Sequence, residues 1–416
     1  MARQAEISAI RRYGPKALPW RAALAATLLM QIVAVFATQA LPVLAPLVTR
    51  GTGMAPEAIG RVYGVAQLGT ILFLLFGMPV LARLGPVRTL QLGAGLAGLG
   101  LTAAVFGSPL AVFAAALLIG LGNAPSIPAG SRILAATAPP AHRTLIFSVK
   151  QAGAPLGGMT AALVLPWLAE KASWPAALAL VIFALFAATV TVQPMQAALD
   201  AERDRARDIS PRALLSPANV ATLFKALTLH PLLMPLAALC FGFAAATGCL
   251  WALQVSFLVE ARGETLAQAG LAAAAMQAGG IAGRLILGWL GDRTGAATRN
   301  LLVQAFVAAG CLATLVILPA SAPQFAFLLV SALAGATASS WQGIALAELA
   351  RVTPAERVAE ATAGASIIGF LGFAVGPAVC AWAISVLQDW TAPLLAVPAL
   401  LAAGATLLAP RLRKVA

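Results

Sequence analysis

Gly283-Arg-Leu-Ile-Leu-Gly-Trp-Leu-Gly-Asp-Arg-Thr-Gly295 (GRLILGWLGDRTG) sets an arginine, Arg284, inside an apolar run and follows it with the pair Asp292-Arg293. Eight residues of helix separate Arg284 from Asp292, which puts the arginine ~12 Å deeper than the pair. An arginine at the centre of a membrane helix costs at least ~2.5–3.5 kcal/mol. Such a residue is expected to face protein or a wet cavity rather than lipid. Gly279, Gly280 and Gly283 keep its neighbourhood open, and a guanidinium offers a planar fork of donors suited to carboxylates.

The surrounding chain supports a membrane reading. It has 416 residues, 61% hydrophobic and only 10% charged, with a mean hydropathy of +0.91. Soluble domains carry about 25% charged residues. Apolar runs of roughly 20 residues recur from end to end, each able to span a bilayer as a helix. Backbone groups in lipid must be satisfied within their own segment, and the alternation of a barrel strand is not seen. The net charge of +13 is spread over short loops, so no basic domain for nucleic acid is expected. Cys240, Cys249, Cys311 and Cys380 all fall in apolar runs and read as small core residues. The basic N-terminus runs into a first helix without a clear cleavage site, so that helix is expected to be retained.

Twelve candidate spans follow, at approximately 18–46, 57–82, 87–107, 110–135, 144–168, 174–193, 231–258, 265–290, 298–319, 323–349, 358–386 and 391–410. With both termini in the cytoplasm, Arg50, Arg61, Lys171 and Arg262 lie outside. The other 23 of the 27 Lys and Arg lie inside, as the positive-inside rule requires. The polar stretch 194–230 divides the chain into an N-terminal bundle, 1–193, and a C-terminal bundle, 231–416. The halves repeat: "ARLGPVR" at 82–88 answers "DRTGAATR" at 292–299, with Arg83 and Arg293 210 positions apart. "PAHR" at 140–143 likewise answers "PAER" at 354–357, 214 positions on. The expected fold is all-α: twelve transmembrane helices in two pseudo-symmetric six-helix bundles, a multi-pass protein of a bacterial inner membrane.

These residues resemble the major facilitator superfamily over essentially the whole chain. The family's loop signature, Gly-x-Leu-x-Asp-Arg-x-Gly, is complete at Gly288, Leu290, Asp292, Arg293 and Gly295. The first copy keeps Arg83 and Gly85 but has Ala82 where the acid belongs. The resemblance implies a secondary transporter working by alternating access, with these loops as a conformational latch. It also implies that helices 1, 4, 7 and 10 line a central cavity. The Arg-x-x-x-Gly spacing of span 8 is similar to that of monocarboxylate, oxalate/formate and nitrate/nitrite porters, in which that arginine binds the anion. Arg284 is accordingly the leading candidate for substrate binding. The chain departs from those groups in having no lysine in span 1 or 11 and no arginine at the equivalent place in span 2.

No acidic residue falls at mid-membrane; Glu348 sits near the inner end of span 10, three before Arg351, its expected partner. A cavity with a cation and no acid attracts anions and repels cations. Gln31, Asn123, Trp251, Gln254, Trp341 and Gln342, on spans 1, 4, 7 and 10, are candidates to orient a substrate. Interhelical hydrogen bonds are the competing use of each. Lys150, about two turns beyond Arg143, is a second cation for substrate or a proton-sensitive amine if it faces the cavity, and otherwise an amine that snorkels to the surface. Glu57 and Arg61 are expected to pair at the outer rim. Neither Gly-x-Ser-x-Gly nor His-Glu-x-x-His occurs, and His142 and His230 lie at helix ends. Catalysis, cofactor and metal are therefore not expected. The functional expectation is a monomeric transporter of a small organic anion, driven by protons or by exchange. Proton-driven efflux of drugs or amphipathic metabolites is the alternative.

Overall fold

Helices carry the chain back and forth, and no strand occurs among the described residues. The structure is a computed structural model that describes residues 20–139, 142–214, 217–354 and 357–415. Twelve spans are present. The first six are α1 (Trp20–Val43), α2 (Ala58–Phe76), α3 (Pro86–Val105), α4 (Pro109–Thr137), α5 (Arg143–Gln151 continuing as Gly153–Lys171) and α6 (Trp174–Val192). The second six are α7 (Leu233–Ser256), α8 (Leu266–Thr294), α9 (Ala297–Ile317), α10 (Gln324–Val352), α11 (Val358–Leu387) and α12 (Thr391–Val415). Eleven are long and apolar enough to cross a membrane on composition alone. The other, α3, is lowered by Gly93, Gly95, Gly98, Gly100 and Arg88, yet its 20 residues suffice for the crossing.

The sequence chemistry explains the ends. Ser108 caps α4 by accepting from Ala111 N at 3.2 Å, and Ser173 caps α6 from Ala176 N at 3.3 Å; each is followed by proline. A capping box opens α8, where Thr265 Oγ1 accepts from Gln268 N and Gln268 Oε1 accepts from Thr265 N. Large apolar side chains on the outer surface, including Trp167, Phe183, Phe186, Leu285, Ile286, Trp382 and Leu400, are exposed and form the lipid face. The second span is shorter than expected. It breaks at Gly77, and Met78–Leu84 follows as a separate turn of helix with Pro79 near its start.

Two seams join the halves. Along the first, α2 packs on α11: a methyl on Gly60 would meet the Pro377 carbonyl and Ala381, and one on Gly64 the Ala374 carbonyl. Along the second, α8 packs on α5: Gly270 lies against the Ala162 carbonyl and Pro166, and Gly158 against the Gln277 amide. The Arg50–Glu260 ion pair, 2.8 Å, ties the outer ends of the halves together. It replaces the expected Glu57–Arg61 rim pair: Arg61 is exposed and makes no ion pair among the described residues. Cytoplasmic of Gln277, α8 stays packed on α10, with Gly279 against the Ala332 carbonyl and Gly283 against the Ala336 carbonyl, but its glycines no longer meet α5, and nothing lies within 4 Å of a methyl built on Gly288 or Gly295. The α5–α8 cleft thus opens toward the cytoplasmic side and closes toward the outside.

Candidate substrate site and cytoplasmic latch

Two spans are interrupted halfway. In α4 the helix stops at Asn123 and resumes at Ser126, because Pro125 and Pro128 lack the N–H groups that would carry it through. In α10 it stops at Ala338 and resumes at Trp341 with no proline present. The interruptions fall at repeat-equivalent places, Pro125-Ser126 and Ser339-Ser340, 214 positions apart. Carbonyls freed by the α10 break need new donors in a membrane interior. Thr247 Oγ1 of α7 donates to Ala338 O at 2.5 Å, and Arg284 Nη2 of α8 donates to Ser339 O at 3.4 Å. Ser340 Oγ donates back to Gly280 O at 3.2 Å.

Arg284 is therefore seated at the broken helix, half-buried. Gln277, one heptad earlier on the same face, is the residue that touches α5. The guanidinium makes no ion pair among the described residues, and its Nη1 is buried without a hydrogen-bond partner. Trp341, two residues past Ser339, stacks on Phe243 with centroids 5.9 Å apart, and its indole Nε1 is also unpartnered. Trp251 stacks on Phe373 of α11 at 5.6 Å and leaves its Nε1 unpartnered as well. These three buried N–H donors lack acceptors among the described residues, as does Arg262 Nε at the outer end of the same half. Each costs about 1–3 kcal/mol unless a ligand or water completes it.

The other candidates lie elsewhere. Gln254 Nε2 donates to Ser331 Oγ of α10 at 2.8 Å, an interhelical bond, and its Oε1 is buried without a partner. It also lines a small apolar void of ≈ 30 Å³ between α7, α9 and α12. Three residues from Trp251 along the helix, it is turned ~60° away, enough to change neighbours. Gln31 is buried on α1 beside Gly153 of α5, with its Oε1 unpartnered. Asn123 and Gln342 are half-buried at the two interruptions. Lys150 does not snorkel: its ammonium is buried inside the N-terminal bundle.

The latch residues show an unexpected division. Gly85, at φ +91°, turns the chain into α3, whose first N–H groups find a carboxylate from the linker. Asp200 Oδ1 accepts from Val87 N at 2.8 Å and Oδ2 from Arg88 N at 3.1 Å. Gln196 Nε2 holds the same carboxylate at 2.8 Å. The acid missing at position 82 is thus supplied 118 residues later, and the linker stays docked: Asp204 N donates to Ala82 O at 2.9 Å and Arg83 Nη1 to Arg207 O at 3.1 Å. In the second copy Gly295 ends α8 at φ +60°, and Arg293 lies over the Trp289 ring at 5.3 Å. Gly288 faces open space; the Asp292 side chain lies outside the described residues. Glu348 pairs with Arg351 as expected, at 2.8 Å, and also accepts from Thr298 Oγ1 of α9 at 2.7 Å. Nothing local in the sequence marks Asp200; Ser339-Ser340 is the one local signal at the α10 break, and a heptad spacing to Arg284 is the signal that could have singled out Gln277, which the sequence reading missed.

Two halves of six helices, joined along two seams and opening on one side of the membrane, define a secondary transporter of the alternating-access kind. The chain belongs to the Major Facilitator Superfamily, whose family model matches residues 27–346 and 255–415. Among solved structures it is similar to a peptide transporter in complex with sulfate, at 16% identity over 97% of this chain and 96% of that one, TM-score 0.74. A bacterial homologue of the human lysosomal transporter Spinster, in an inward-facing and unoccupied conformation, matches at 16% identity over 95% and 98%, TM-score 0.74. The nucleoside transporter NupG matches at 15% over 94% and 99%, TM-score 0.69. At these identities the likeness is one of fold. No curated protein matches the sequence.

Proposed function

We propose that this protein moves a small carboxylate-type organic anion across the membrane, using protons or exchange against a second anion. Arg284 carries the reading. It is a permanent cation, set by α8 at the interruption of α10, with Nη1 buried and unpartnered and, among the described residues, no carboxylate paired to it. The unpartnered Trp251 and Trp341 indoles add donors and no acceptor, so a complementary ligand is rich in acceptors. On this reading the cytoplasmic loops at Gly85 and Gly295 bias the rocking of the halves.

A thermal-shift screen of the purified protein tests it, with acetate, pyruvate, oxalate, benzoate, nitrate and tetraphenylphosphonium as probes. An anion present at a hundred times its dissociation constant adds about 2.7 kcal/mol to stability. Stabilisation by one or more of the anions, lost in Arg284→Ala, is the expected result. Stabilisation by tetraphenylphosphonium alone sinks the anion assignment and favours efflux of lipophilic cations.

A further inference from the structure

Lys150 is a second cation, buried where Arg284 is half-buried, and its setting differs from that of Arg284 in kind. Its side chain is 1% exposed, with Cε and Nζ lying over Gly130 of α4, which also faces Thr27 of α1. Among the described residues Nζ donates one hydrogen bond, 3.1 Å long, to Gln151 Oε1. Near its own depth, the described residues of the elements packed around it bring cations and no acid. On α1 the charged residue is Arg21, at the cytoplasmic end over the Trp20 ring. On the inner part of α4 it is Arg132, which donates to Glu202 O at 2.9 Å. On α5 there is Arg143, whose side chain lies outside the described residues, while Glu170 and Lys171 stand ~30 Å away at the opposite end. No carboxylate faces Lys150 among the described residues.

Burying an ammonium on a single amide oxygen costs several kcal/mol, whereas a free amine buries at the cost of an ordinary polar group. The position also matters. From the contact of Gly158 with Gln277, Lys150 lies eight residues toward the cytoplasm and Arg284 seven. Both therefore sit ~10–12 Å below that contact, on the two helices that border the cleft. Gln151, seven residues from Gly158 and so on its face, is exposed and holds the Lys150 Nζ from the cleft side.

We propose that Lys150 is the proton-binding group that couples transport to protons, a reading that rests on the anionic cargo proposed above. While the anion occupies the cleft, Nζ holds the coupled proton as an ammonium. When the anion leaves to the cytoplasm, the ammonium gives that proton to water in the cleft beside Gln151. What remains is a free amine, which buries against Gly130. Arg284 keeps its charge throughout and cannot play this part. One proton thus crosses with each monoanion, and the movement is electroneutral.

The test is transport in vesicles containing the full-length protein, with radiolabelled pyruvate, oxalate and benzoate as probes. Two rates are measured for each: uptake driven by an inward proton gradient, and exchange of the same anion without a gradient. In Lys150→Gln and Lys150→Met the ratio of driven uptake to exchange falls about tenfold or more relative to wild type, equivalent to at least one 1.36 kcal/mol step. A lysine with a merely structural role lowers both rates together and leaves the ratio unchanged, which overturns the proposal. Two different side chains guard against one variant failing to fold. Wild-type vesicles that take up none of the three anions overturn the anion reading and this inference together. Wild-type uptake that stays gradient-driven in both variants overturns the lysine alone.

Discussion

After α2 the chain turns into α3 over residues 82–88; after α8 it turns into α9 over residues 292–298, 210 positions later. Both turns end on a buried carboxylate at the start of the next helix, but the carboxylates come from different places. In the first, Asp200 of the linker receives the N–H groups of Val87 and Arg88. In the second, Glu348 of α10 receives the hydroxyl of Thr298, the position equivalent to Arg88, and is held by Arg351. What is kept between the halves is a negative charge where a helix N-terminus needs one, not a residue at a fixed place in a motif. Ala82 is therefore not a weakened latch. It marks a turn whose acid is delivered by the linker, so the linker is a structural part of the N-terminal half.

The equivalent glycines give the sharpest test of that contrast. Gly85 lies at φ +91°, ψ 161°, and a methyl there would meet the Asp200 carboxylate at 2.5–2.6 Å. That backbone region is essentially closed to other residues. Gly295 lies at φ 60°, ψ 10°, the ordinary left-handed helix end, with nothing within 4 Å. Gly85→Ala is expected to cost roughly 3 kcal/mol or more from strain and displacement of the carboxylate, and Gly295→Ala only about 1 kcal/mol. Melting midpoints in detergent at one scan rate check the order; equal losses would remove the distinction between the turns.

Removing the acid itself comes next. Asp200→Ala leaves two N–H groups at the start of α3 without their charged acceptor, for a loss of about 2 kcal/mol. Ala82→Asp in the same protein restores the acid to the signature position. We expect it to recover at least half of the lost melting temperature, because the helix start requires a charge rather than a particular donor segment. A double variant no more stable than Asp200→Ala would show instead that the linker's geometry is indispensable.

These contrasts also mark what the residues reveal before folding. The spans, their orientation and the repeat are carried by hydropathy and Lys/Arg placement, which are local and additive along the chain. The depth of Arg284 follows from counting turns back from Asp292, and its seat beside α10 does not. The Asp200 cap joins residues 112 and 113 positions apart, and no pattern around "LDAERDR" distinguishes that acid from Glu202 or Asp204. The α10 interruption is set by neighbours, Thr247 and Arg284, that accommodate the freed carbonyls from other helices. Lys150 misleads for a related reason. Its two-turn distance from the cytoplasm allows snorkelling, but Gly130 leaves a space that only the folded bundle displays. Gln254 meets Ser331 of α10 while Trp251 stacks on Phe373 of α11, a ~60° difference in facing finer than any span boundary read from sequence.

The smallest expected effect concerns the second turn. Glu348 is buried, but its partner Arg351 is 58% exposed and stays solvated when the pair is broken. Glu348→Gln keeps an oxygen able to accept from Thr298 and loses only the ionic component. Exposed or half-exposed pairs are worth about 0–1 kcal/mol, so the loss is expected near 0.5 kcal/mol and to shrink further in high salt. Asp200 has two backbone N–H groups and, among the described residues, no ion pair to lose, so its loss is expected to be several-fold larger and less sensitive to salt. Measuring both variants at low and high ionic strength separates the two anchors. If Glu348→Gln proved the more damaging, the C-terminal turn would be the one that depends on its acid, and the ranking of the two halves would reverse.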